Sequence, residues 1–141
     1  MPETLVVDAS VALKWLLPEE DSEEALGMIG RAILAAPDLM QVEAANALWH
    51  RVKRLQLTAG EARACLADLA AVPMDYVADR ALTAAALSLA CDLGHPVYDC
   101  LYLALALERA GVAVTADRRF AASVASHPYL AGRVMLLSDW V

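Results

Sequence analysis

Apolar residues recur along this chain with two alternating periods. Short, mainly apolar runs at Leu5 to Val7, Leu34 to Leu39, Met74 to Val77, Val112 to Thr115 and Val134 to Leu137 have the length and flanks of strands. Between them the spacing turns helical. Ser10 to Leu17 is stopped by Pro18, Glu23 to Ile33 and Gln41 to Leu55 follow, and Thr58-Ala59-Gly60-Glu61 is a capping box that opens a helix ending before Pro73. Arg80 to Leu93 is helical up to the break at Gly94-His95-Pro96. A further apolar helix ends at Gly111, read as its C-terminal cap, and Asp117 to Val124 makes a last short helix. Apolar strands separated by helices predict a parallel sheet covered on both faces, an α/β fold. No internal repeat or linker divides the sequence, so residues 1–141 are expected to form one domain.

Open parallel sheets bind ligands beyond the carboxyl ends of their strands. Asp8 directly follows the first strand and Asp117 the strand ending near Thr115, so both acids project toward that edge. Glu43 lies one turn into the helix from Gln41, and Asn46 shares its face. Asp99 is the only charged group between Val97 and Leu107, in the first turn of its helix. A carboxylate carried into so apolar a place is costly unless a cation or hydrogen-bond donors meet it, so it caps a helix or binds something. Capping would equally explain Asp8 and Asp117. Glu43 sits where no cap is needed, and its structural alternative is a salt bridge to Arg51 or Lys53. If the four acids converge, they cannot all stay ionised without a cation. Oxygen-only donors suit Mg²⁺ or Mn²⁺, and such a site can activate water against a phosphodiester.

Charge and composition change this picture little. The formal net charge of -7 argues against a polyanion partner, but Glu19 to Glu24 holds five of the 18 acids, leaving 13 against 11 bases elsewhere. That acidic segment is read as a solvated helix start. Cys65, Cys91 and Cys100 form no C-x-x-C pair and are expected to be reduced core thiols. The sequence opens without a signal-peptide pattern, and no charge-free run reaches the roughly 18–20 residues of a membrane span, so a cytoplasmic location without membrane is expected. His50, His95 and His127 lack metal-ligand spacing and are read as structural or surface groups, and Trp15, Trp49 and Trp140 as core or interface aromatics. Arg51, Lys53 and Arg54 cluster, while Lys14, Arg118 and Arg119 lie beside the proposed site acids, where they could steer phosphates.

Four motifs in order carry a family resemblance: Val7-Asp8-Ala9-Ser10-Val11-Ala12; Pro37-Asp38-Leu39 with Glu43 and Asn46-Ala47-Leu48; Tyr98-Asp99 with Leu101-Tyr102-Leu103-Ala104; and Thr115-Ala116-Asp117-Arg118-Arg119-Phe120. Together they resemble PIN-domain ribonucleases, most closely the VapC-type toxins of type II toxin–antitoxin pairs, over nearly the whole chain. The resemblance implies a three-layer fold with a mainly parallel sheet, and a Mg²⁺-dependent endoribonuclease in which Mn²⁺ can substitute. Its catalytic acids would be Asp8, Glu43, Asp99 and Asp117, with Asp8 and Asp99 as direct metal ligands and Glu43 and Asp117 completing the site directly or through water. Ser10, Thr115 and Asn46 resemble the family's polar positions, where a neighbouring group orients a carboxylate. Many members carry a further acid two residues past Asp117, where this chain has Arg119, which leaves a second metal position less secured. A small VapB-like antitoxin would lay its C-terminal segment into a groove near the acids, and a homodimer is implied. The alternative is a PIN-like binding module or repressor subunit that does not cleave. A receiver-type phosphoacceptor would need paired acids after the first strand and a Lys after a late strand, and neither is present.

Overall fold

The computed structural model describes residues 3–140. Its elements run β1 (Thr4–Val7), α1 (Ala9–Leu16), α2 (Ser22–Gly27), β2 (Ile33–Pro37), α3 (Leu39–Lys53), α4 (Ala59–Ala71), β3 (Asp75–Val77), α5 (Thr83–Leu93), α6 (Val97–Glu108), β4 (Val112–Thr115), α7 (Arg118–Ala125) and β5 (Val134–Leu136). Single 3-10 turns cover Asp79–Ala81 and Leu137–Asp139. The strands form one five-stranded sheet in the order β3-β2-β1-β4-β5, every pairing parallel, flanked by helices as the apolar strand pattern predicts.

Leu5, Val6 and Val7 of the central strand are wholly buried, and α6 is buried from Cys100 through Ala106, because it lies across β1, β2 and β4. This is why α6 reads as apolar on all sides. From β1 the chain proceeds to β2 and β3 on one side, and later to β4 and β5 on the other. The connections therefore diverge between β1 and β4, and the carboxyl ends of these two strands mark the place where open parallel sheets hold ligands.

Four local readings are corrected by the structure. The helix expected over Glu23 to Ile33 ends at Gly27, because single turns and the left-handed Gly30 (φ 85°) reverse the chain and deliver Ile33 to β2 opposite Thr4. The helix expected from Arg80 opens instead with a 3-10 turn, and α5 begins only at Thr83. At the end of α6 the left-handed residue is Ala110 (φ 51°), not Gly111. Gly111 is required for close approach, since a Cβ there would lie 2.4 Å from the Thr4 backbone oxygen. All three cysteines are free as expected, but only Cys100 is buried; Cys91 is exposed on α5. The thiol of Cys100 is pushed up to about 11 by burial, with the Asp99 charge adding to it.

Candidate active site

Asp8 stands at the carboxyl end of β1 where the connections diverge, its N–H bonded to the Val114 carbonyl of β4 (3.1 Å). It occupies the N-cap position of α1, yet its side chain makes no capping bond. Both the Thr115 hydroxyl (2.6 Å) and the Ser10 hydroxyl (2.9 Å) donate instead to Asp8 Oδ2. Those hydroxyls are themselves held by backbone N–H groups, Ser10 Oγ accepting from Ala116 (3.1 Å) and Thr115 Oγ1 from Asp117 (3.0 Å). Burial raises the Asp8 carboxyl above its ordinary range and the Asp99 charge adds to this, while the two hydroxyl bonds oppose it.

Glu43 is half-buried on α3 and accepts from the Tyr102 hydroxyl at 2.5 Å. Its carboxyl is likewise raised, by burial first and then by the charges of Asp8, Asp99 and Asp79, against the Tyr102 bond. Arg51 pairs with Glu19, and Lys53 lies over the Trp49 ring at 4.6 Å, so the salt bridge considered for Glu43 does not form. Asp99 is the third residue of α6. Its Oδ2 lies 2.6 Å from His95 Nε2, and no helix-capping bond takes its place.

Across three separate parts of the chain, the charge of Asp99 thus reaches Asp8, and the charges of both reach Glu43. Among the described residues, no Lys or Arg forms an ion pair with any of them. Asp117 stands apart: it is exposed, and its Oδ1 caps α7 by accepting from the N–H groups of Arg119 (2.9 Å) and Phe120 (3.2 Å). Its connection to the three runs through its own N–H and the Thr115 hydroxyl. Asn46 is exposed and makes no side-chain hydrogen bond among the described residues. The Lys14 ammonium is engaged by the Glu20 carbonyl (2.6 Å), and Arg118 and Arg119 are exposed beside Asp117.

Three participants escape sequence reasoning. Tyr102 follows Asp99 by three residues on α6, so helical spacing puts the two on one face, whereas His95 lies before the N-cap Pro96 and no periodicity marks it. Asp79 follows β3 much as Asp8 follows β1, and its Oδ1 accepts from the Leu39 N–H (3.0 Å) at the start of α3. Among the described residues, no three His, Cys, Asp or Glu side chains are gathered closely enough to enclose an ion by themselves.

Residues 5–124 match the family model described as the PIN domain. The chain belongs to the PIN-domain family. It is 37% identical over 122 residues to Ribonuclease VapC3 of Pyrobaculum aerophilum, an alignment covering 83% of this chain and 92% of that protein. The PIN-domain fold is shared with the crystal structure of PAE2754 from Pyrobaculum aerophilum, at a TM-score of 0.72 and 22% identity over 96% of this chain and 85% of that one. It is shared also with a toxin–antitoxin complex from Klebsiella pneumoniae, at a TM-score of 0.65 and 16% identity over 94% of this chain and 97% of that one. This PIN-domain chain is therefore homologous to VapC-type toxins, and a ribonuclease-toxin role holds at the level of the family.

Proposed function

We propose that this protein is a metal-dependent endoribonuclease, the toxin of a type II toxin–antitoxin pair, built as a single PIN domain. The carrying observation is that Asp8 and Glu43 are raised by burial and by neighbouring acid charge, that of Asp99 on both and that of Asp8 on Glu43, with no Lys or Arg paired to the three among the described residues. Three acids left in that state call for a cation from outside the chain. The donors are all oxygens, which fits Mg²⁺, with Mn²⁺ as a substitute, and Mg²⁺ needs only one or two carboxylates beside water and phosphate. Asp8 and Asp99 would hold the ion, with Glu43 and Asp117 completing the site directly or through water. Bound there, the ion would neutralise phosphodiester charge and acidify a water.

The chain's own residues do the rest. Ser10 and Thr115 fix Asp8, and Tyr102 fixes Glu43, whose raised carboxyl is suited to orienting a water and taking its proton. Arg118 and Arg119, exposed beside Asp117, are placed to meet RNA phosphates. The apolar groove of about 230 Å³ between α3 and α4, lined by Leu48, Trp49, Val52 and Leu66 and by none of the four acids, supports an antitoxin partner that covers this face rather than a groove at the acids alone. The outward Leu87 and Cys91 of α5 support a homodimer packed through helices. No helix among the described residues is long and apolar enough to cross a membrane, in keeping with a cytoplasmic site of action.

The test is RNA cleavage by protein freed of antitoxin. Cleavage should require Mg²⁺ or Mn²⁺, stop with chelator, and disappear in Asp8→Asn and Asp99→Asn. Cleavage that continues unchanged in excess chelator overturns the metal mechanism. Equal growth arrest by wild type and both variants would place the protein with the non-cleaving binding modules.

A further inference from the structure

Each of the four acids has one carboxylate oxygen tied to a donor of this chain. Asp8 Oδ2 is held by Ser10 and Thr115, Glu43 Oε1 by Tyr102, Asp117 Oδ1 by the first N–H groups of α7, and Asp99 Oδ2 by His95. In every case the second oxygen accepts no side-chain bond among the described residues. Of these donors, His95 is the one whose place the family motifs do not cover.

Asp99 has a competing use for its carboxylate. The first N–H groups of a helix lack intrahelical partners, and a carboxylate in the first turn turns back toward them unless something else cap the end. Here the N-cap position is Pro96, which has no side-chain oxygen to offer. His95 takes Asp99 Oδ2 instead, and the ring is well placed to hold it. Its centroid lies 4.9 Å from that of Phe120, its side chain is 12% exposed, and its backbone N–H is bonded to the Ala90 carbonyl (3.3 Å) just past the left-handed Gly94. Phe120 is in turn the residue whose N–H is bonded to Asp117 Oδ1. The imidazole therefore ties Asp99 on α6 to the start of α7, beside Asp117.

We propose that His95 is a positioning residue, holding Asp99 by one oxygen so that the second is left to a divalent cation. This rests on the metal-dependent reading above. The test separates donor from ring: His95→Gln keeps an amide N–H and loses the ring, while His95→Phe keeps a ring on Phe120 and loses the donor. Mn²⁺ affinity is measured on the full chain by the free-ion EPR signal, with thermal unfolding alongside to confirm that each variant is folded. His95→Phe is expected to weaken Mn²⁺ binding by about 10- to 100-fold, the usual effect of losing a ligand's outer partner. His95→Gln should regain most of that loss, and in an Asp99→Asn background the two variants should not differ. In the metal-free wild type, imidazole ¹⁵N shifts should show Nε2 as the bonded nitrogen and should move in Asp99→Asn.

Wild-type affinity in His95→Phe, or tighter binding in it, overturns the proposal, the latter making His95 a competitor of the ion. Equal losses in both variants also overturn it, in favour of ring packing. If His95→Phe does not fold, ¹⁵N shifts of the wild type that ignore Asp99→Asn overturn it, and shifts that respond support it. Wild-type protein that binds no Mn²⁺ removes the metal reading and this inference together, an outcome distinct from a wild type that binds and variants that do not differ.

Discussion

The Tyr102 hydroxyl donates to Glu43 Oε1 across 2.5 Å, so α6 carries Asp99 and, one turn later, the group that orients Glu43 on α3. Two acids far apart in sequence are thereby set by one helix. Burial keeps the Tyr102 hydroxyl protonated far beyond neutral pH, and the charges of Asp8 and Glu43 reinforce this, so it acts only as a donor to the carboxylate.

Removing that hydroxyl should therefore be costly. Tyr102→Phe is expected to lose about 1.5–3 kcal/mol at neutral pH, the range for hydrogen bonds to charged groups. Urea unfolding checks this, and the loss should shrink in the Tyr102→Phe, Glu43→Gln double variant, where no charge is left unmet.

The acids should also make the metal-free protein lose stability as pH rises. Asp8 and Glu43 are raised in the folded state above their ordinary values of 3.8 and 4.5. Between the ordinary and the raised value the folded state holds more protons than the unfolded one, so stability falls with pH in that window and is level above it. Asp8→Asn removes its share of the fall. In chelator, the variant should be the more stable protein at neutral pH, with the advantage fading toward about pH 4. An advantage that is constant with pH would contradict the shift.

Mg²⁺ should reverse the same penalty. A ligand at 100 times its Kd stabilises the state it binds by about 2.7 kcal/mol. Thermal unfolding with added Mg²⁺ should rise in the wild type and stay unchanged in Asp99→Asn.

Thr115→Val keeps the shape of a fully buried side chain and deletes both its donation to Asp8 Oδ2 and its acceptance from the Asp117 N–H. The expected cost is about 2–3 kcal/mol. It should grow from acid to neutral pH, because Asp8 loses a bond that favours its charged form. Unfolding at two pH values measures this, and RNA cleavage should drop with it.

Gly111→Ala tests the packing of the sheet. The new Cβ would meet the Thr4 carbonyl oxygen at 2.4 Å, and a backbone atom in the central strand cannot swing away. A loss of about 3 kcal/mol is expected, at the upper end of ordinary overpacking. A neutral result in urea unfolding would show that β1 and β4 can separate at this end.

Periodicity alone determined the strands, most of the helices and the parallel α/β class, because apolar spacing is a local property that burial imposes on each element by itself. It also placed Asp8 and Asp117 at one sheet edge, since all strands of a parallel sheet end on the same side. The local boundaries it missed, at Gly27, Thr83 and Ala110, depend on backbone turns and close approaches that spacing does not encode. Which acids share a field was decided only by tertiary structure. Asp8 is met by Thr115 at a separation of 107 residues and Glu43 by Tyr102 at 59, and these contacts exist only once β1 lies beside β4 and α6 crosses the sheet. For Asp99, the sequence predicted an enclosed carboxylate in need of a partner, whereas the structure leaves its side chain 29% exposed. The fold chose His95 because Pro96 left the helix start without a cap and Phe120 gave the imidazole a surface to rest on.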